Sequence, residues 1–385
     1  MPDHKVTVSG AALTPYNRRK DGTGPRDWAV EAAADALAMS GVEPSQIDAL
    51  FVASESDFFS LQLNPASILA SDLGLAGVEA VRCEGGGASG QVAVQAAVRA
   101  IRSGAASQAL VVGVDPSASS LSGDAIRTLY GYSFDAWTDG MTGLTSTALY
   151  ALSYQAFAAR HGLREADLTA VVQANRANAR ANPGAHLPRD DTDAAIAESP
   201  MIASPYRRLH CSPLSDGAAA LVLSRDGRAD APRIAGVGAA TDHMHLGARP
   251  DPGAFTAKTS AMARACADAR VTPDQVGLVE VYDAYAGAQL QALHALGVSE
   301  DPARDLREGR FAKDGPCPVN LSGGLMGQGA PVGATGVGQV GTCALILEGR
   351  YHKGLQPDDP PRYAVADTHG GICTTAAVTI LERAA

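Results

Sequence analysis

A chain of 385 residues is longer than one small hydrophobic core usually holds, which predicts two core units or a duplicated domain. A net charge of −10 with only 5% aromatic residues excludes a phosphate-backbone binder and a base-stacking surface, so no nucleic-acid partner is expected. The start Met-Pro-Asp-His-Lys carries no secretion signal, and no run of 18 apolar residues suggests a membrane span. The six cysteines form no CxxC pair and have no zinc-ligand spacing, so they read as reduced thiols of a cytoplasmic protein with no metal site.

In chain order, the first informative element is Ala34–Val52: a helix, a turn at Pro44, then an apolar strand. Arg82-Cys83-Glu84-Gly85-Gly86-Gly87-Ala88-Ser89-Gly90 follows, an elbow between a strand and the amphipathic helix that ends near Gly104. A helix start of this kind presents backbone N–H donors to negative charge. Ala109–Asp115 and Gly217–Leu223 read as buried strands, and residues 118–208, rich in Arg, Asn and Asp, read as helices joined by polar loops. Ala263–Val281 then repeats the first unit at constant offset: Val42, Pro44 and Gln46 correspond to Val271, Pro273 and Gln275. The glycine-rich stretch Gly323–Gly336 parallels the elbow, and Thr375–Leu381 parallels the strand at Gly217. The chain therefore divides into an N-terminal half (1–117 and 209–232), an insertion (118–208) covering a cleft at the junction, and a C-terminal half (233–385).

These motifs together resemble the thiolase superfamily, most closely the sterol-carrier-protein-type thiolases. The likeness rests on Gly87-Ala-Ser-Gly90, Asn178–Pro183, Leu209–Ala220, Val281-Tyr-Asp-Ala-Tyr285, Asn320–Gly336 and Thr368-His-Gly-Gly371, and it spans almost the whole length. The resemblance implies the thiolase fold: two duplicated α/β halves in an α-β-α-β-α layering, with mixed, mostly parallel sheets. It also implies coenzyme A thioesters as substrates with no permanently bound cofactor, carbon–carbon chemistry beside the thioester carbonyl, and a homodimer.

Four positions depart from the family pattern. Gly87 stands where the resemblance places the nucleophilic cysteine, Tyr282 where it places a histidine, Ala330 where it places the histidine that activates the cysteine, and Thr368 at the second cysteine. Thiolysis needs a thiolate and a base acting as a unit, and neither Gly87 nor Ala330 can supply its share. The N–H groups of Gly87 and Gly371 remain as oxyanion donors, and Tyr282 and His369 remain as groups able to move a proton. Ser89, Asn320, Gly324, Ala330 and Asp283 are the substrate-binding candidates. The structural alternatives are that Ser89 caps the helix, Asn320 fixes the glycine loop and Asp283 orients a turn. Cys83 and Cys373 are the candidates for a relocated nucleophile. The elbow Gly85-Gly-Gly-Ala88 and Tyr282-Asp283 also resemble the lipid-transfer-type aldolases, which implies retro-aldol chemistry and a small OB-fold partner protein. An acyltransferase with a relocated cysteine and a non-catalytic acyl-CoA-binding or scaffold subunit are the other readings.

Overall fold

The computed structural model describes residues 4–18, 21–56 and 62–384. Strands β1 (Val6–Leu13), β2 (Ala49–Ala53), β3 (Glu79–Cys83) and β4 (Gln108–Pro116) belong to the first half of the sheet. A small hairpin follows, of β5 (Met201–Ala203) and β6 (Tyr206–Arg207). The main sheet continues with β7 (Asp216–Arg225), β8 (Arg233–Thr241), β9 (Leu278–Glu280), β10 (Tyr363–Gly370) and β11 (Thr375–Glu382). The nine-stranded order is β3-β2-β4-β7-β1-β8-β11-β10-β9, so the second half mirrors the first about the β1–β8 seam. That seam is a single register pair, Thr7 with Arg233, which joins the two expected half-sheets into one. A parallel bridge from Val279 to Val319 stands where β3 stands in the first half.

The pairing is more antiparallel than the sequence reading expects. β2 pairs in parallel with β3 and β4, and β9 with β10, whereas β7 and β11 run antiparallel to both of their neighbours. The cause is connectivity: β10 reaches β11 through only residues 371–374, too few for the crossover that a parallel pair needs.

The helices are α1 (Pro25–Ser40), α2 (Pro65–Asp72), α3 (Ser89–Ser103), α4 (Gly123–Tyr130), α5 (Ser146–His161), α6 (Glu165–Ala181), α7 (Asp193–Glu198), α8 (Thr256–Ala269), α9 (Ala286–Ala295), α10 (Pro302–Arg307), α11 (Gly324–Gly327) and α12 (Val332–Leu347). α3 and α12 pack on each other between the half-sheets, while α1 and α8 cover the outer faces. α12 is buried almost all round, as a helix apolar on every face must be. The crossing is close because a Cβ on Gly90 would come within 2.7 Å of the Val337 nitrogen. α5 and α6 share a hydrophobic core with α9, where Tyr150, Tyr154, Leu168 and Val172 meet Leu290 and Leu293. Val279 of β9 and Val365 of β10 belong to the same core. Among the described residues no helix is long and apolar enough to cross a membrane.

Candidate active site

The elbow is built by its own small residues. β3 ends at Cys83, Gly86 takes a left-handed φ of 57°, and one tight turn (Gly86–Ala88) leads into α3. The Ser89 hydroxyl accepts from the Gly85 N–H at 3.0 Å and donates to the Gly86 carbonyl at 2.6 Å, which locks the turn. Against it lies the β10–β11 turn, where Gly371 has φ 58° and a Cβ on Gly86 would sit 3.4 Å from the Gly370 Cα. Neither the Gly87 nor the Gly371 N–H has an acceptor among the described residues, and both residues line one cavity of about 290 Å³.

Tyr282 follows β9 and projects into this cavity. A Cβ placed on Gly87 would lie 2.6 Å from the Tyr282 hydroxyl and would overlap the His369 carbonyl oxygen. The phenol therefore fills the space that a side chain at 87 would take. Burial pushes the Tyr282 phenol well above its ordinary range, with Glu55 and Tyr285 adding to the rise. The phenol is therefore held in its protonated form. Gly87→Ala is expected to destabilise the fold by about 1–3 kcal/mol, because the His369 carbonyl is backbone in the sheet and cannot swing away. A urea melt checks this, and an unchanged midpoint would contradict the described packing.

His369 lies in the cavity wall with its ring 4.8 Å from that of Tyr282, centroid to centroid. It is the end of a buried chain. Asp367 pairs with the Lys258 ammonium, which lies 3.1 Å from His369 Nδ1; His369 Nε2 lies 2.8 Å from the Tyr150 hydroxyl, which donates to the Gly371 carbonyl at 2.5 Å. An ammonium has no lone pair, so Nδ1 accepts and Nε2–H donates. Burial, then the charges of Lys258 and Arg249, hold the imidazole well below its ordinary pKa. The expected role of His369 as a titrating base is therefore corrected: both nitrogens are committed, and what the ring does is hold the Gly371 turn in place.

Four candidates stand outside the cavity lining. Ser89 is under the elbow, as described. Asp283 accepts from the N–H groups of Leu325 and Met326 and from Asn175, at 2.7, 3.2 and 2.7 Å, so it caps α11. Burial pushes its carboxyl up to about 8. Asn320, at φ 50°, takes the Val281 N–H on Oδ1 at 2.8 Å and donates to Gln289. Gly324 leaves room for Asp283, which a Cβ there would meet at 2.5 Å. Asp283, Asn320 and Gly324 hold the glycine loop, and they are buried outside the cavity lining. Ala330 is in the cavity wall, packed with Tyr282 and Leu325, its N–H bonded to the Ser215 hydroxyl at 3.0 Å.

Cys83 and Cys373 do not line the cavity, and burial pushes their thiols up to about 11 and about 12. Cys211 does line it, its thiol also pushed up to about 12 and bonded to the Arg207 carbonyl at 3.5 Å. The sequence reading missed Lys258, Tyr150 and Glu55. Lys258 was detectable, since it shares one helical face with Ala261 and Met262. Glu55 sits just past the carboxyl end of β2, where open α/β sheets bind ligands. Tyr150 is 219 residues from His369, and nothing local marks it.

A mixed sheet mirrored about one seam, with two glycine-crossed helices buried between its halves, defines the thiolase fold. The chain belongs to the thiolase superfamily: residues 6–190 match the family description "Thiolase, N-terminal domain" and residues 238–383 match "Thiolase C-terminal domain-like". An acetyl-CoA acetyltransferase of Methanothermobacter thermautotrophicus is 31% identical over 98% of this chain and 99% of its own length. The benzoylsuccinyl-CoA thiolase subunit BbsB of Thauera aromatica is 25% identical over 96% of each chain. Among solved structures, the Ltp2-ChsH2(DUF35) aldolase superposes with a TM-score of 0.84 at 21% identity, covering 100% of this chain and 99% of the other.

Proposed function

We propose that this chain is an enzyme that breaks or makes the carbon–carbon bond beside an acyl-CoA thioester carbonyl by aldol-type enolate chemistry, without an acyl-cysteine. The observation that carries the reading is the Tyr282 hydroxyl standing where a side chain at 87 would project. The thiolase resemblance places its nucleophile there, and here that space belongs to a phenol. The Gly87 and Gly371 N–H groups, without an acceptor among the described residues, would receive the thioester oxyanion, and such donors contribute about 3–4 kcal/mol each at a developing charge. Tyr282 would supply the proton. The aldolase named among the structural neighbours supports this reaction class, and its DUF35 component supports a small partner protein; a cytoplasmic homodimer completes the reading.

The acetyltransferase name of the 31% relative favours a second reading, acyl transfer through a relocated thiol. The three thiols considered are all held protonated by burial, which opposes it. One experiment separates the two. With a β-hydroxyacyl-CoA, the enzyme is expected to release a shortened acyl-CoA and a carbonyl compound. Intact-protein mass spectrometry after acid quench should find no acyl adduct. An adduct mapped to any cysteine would overturn the proposal.

A further inference from the structure

We infer that Glu55 is the general base of the cavity, accepting the proton of the substrate's β-hydroxyl group; this rests on the aldol-type reading above. Glu55 is placed by its backbone. Its N–H donates to Asp115 Oδ2 at 3.0 Å, and the same carboxylate accepts from the Gly333 N–H at 2.5 Å and, on Oδ1, from the Ser54 hydroxyl at 3.1 Å. The side chain lines the cavity shared with Gly87 and Tyr282, and its Oε2 is buried without a hydrogen-bond partner among the described residues. A buried carboxyl oxygen left open in a cavity wall is placed to meet a polar group that enters the cavity.

Elimination points the same way. His369 has both nitrogens engaged, and Tyr150 gives its proton to the Gly371 carbonyl. Burial holds the phenols of Tyr130, Tyr282 and Tyr285 and the thiol of Cys211 in their protonated forms. Glu55 is the remaining titratable group of the lining. The groups acting on it are the Asp115 and Glu84 carboxylates and the Tyr130 and Tyr282 phenols, while the Arg82 guanidinium, bonded to the Ser54 carbonyl at 3.3 Å, acts on Asp115. Burial, then Asp115, push its carboxyl up to about 8, against the Tyr130 hydroxyl, which lowers it. A base is most effective near the operating pH.

In the cleavage direction, the Glu55 carboxylate takes the hydroxyl proton and the C–O bond becomes a carbonyl. The Cα–Cβ bond breaks, and its electron pair forms the thioester enolate on the Gly87 and Gly371 N–H groups. The α-carbon then takes the Tyr282 proton, and the proton on Glu55 returns to the phenolate. One proton has moved from oxygen to carbon, and no oxidant or reductant is required.

The test is kcat/KM against pH for wild type, Glu55→Gln and Glu55→Asp with β-hydroxyacyl-CoAs. The wild-type value is expected to rise about tenfold per pH unit up to about 8 and then level off. Glu55→Gln, which mimics the protonated acid, should fold, lose the limb and fall by at least about 100-fold at pH 9. Glu55→Asp should restore part of the activity with a displaced limb. A Glu55→Gln enzyme within twofold of wild type with the same limb overturns the assignment alone, as does an Asp variant with an unmoved limb. If wild type neither cleaves the substrates nor exchanges the α-protons of acyl-CoA in D2O, the functional reading fails, and the role of Glu55 fails with it.

Discussion

Tyr282→Phe is expected to lower turnover by about 10²–10⁴-fold while leaving the affinity for a CoA thioester within about twofold. The ring keeps its contacts with His369, Leu325 and Ala330, so phenylalanine fills the same volume and the cavity keeps its shape. The hydroxyl makes no hydrogen bond to a described residue, so its removal strands no partner among them. What disappears is the proton that the phenol holds firmly at neutral pH. The two kinetic constants separate the possibilities: an unchanged kcat would exclude Tyr282 as the donor, and a raised KM with unchanged kcat would make it a binding group only. Isothermal titration with a non-reactive acyl-CoA checks the affinity independently.

The fold was legible where local rules govern it. Helix, proline turn and strand repeat in Ala34–Val52 and Ala263–Val281, and the glycines at 85–87 mark the elbow because only small residues allow that turn against Gly370. The site was legible in position but not in state. His369 was located by its Gly-Gly neighbours, yet its tautomer is set by Lys258, 111 residues earlier in the chain. Tyr282 was located by the Asp283 beside it, yet its relation to Gly87 is a crossing of two sheet ends that no spacing encodes. Ser89, Asn320, Gly324 and Asp283 share a motif with cavity residues, but the structure places them outside the cavity lining. Sequence proximity to a reactive position does not distinguish a wall from its support.

Lys258→Met is expected to be the most destabilising single change considered, at about 3–5 kcal/mol. Lys258 and Asp367 are both fully buried, and the substitution removes the cation while leaving the carboxylate. Methionine preserves most of the volume, so packing loss is a minor part. Burial already raises the Asp367 carboxyl, and Lys258 is the leading influence opposing that rise, so the variant's folded pKa climbs further. A carboxyl raised in the folded state contributes stability below its unfolded pKa and loses it as pH rises through the folded value. The deficit against wild type should therefore be small near pH 4 and full at neutral pH. The double variant Lys258→Met/Asp367→Asn removes both charges and should recover most of the loss, while each single substitution does not. Activity should not return with stability. Without the ammonium, nothing fixes the His369 tautomer, so the bond through Tyr150 to the Gly371 carbonyl loosens and the N–H donor of that turn loses its aim. Urea midpoints at pH 4.5 and 7, taken with kcat for the double variant, decide the matter. A pH-independent deficit would mean that Asp367 carries no charge in the native protein, and full activity in the double variant would mean that the chain from Lys258 to Gly371 does not position the turn.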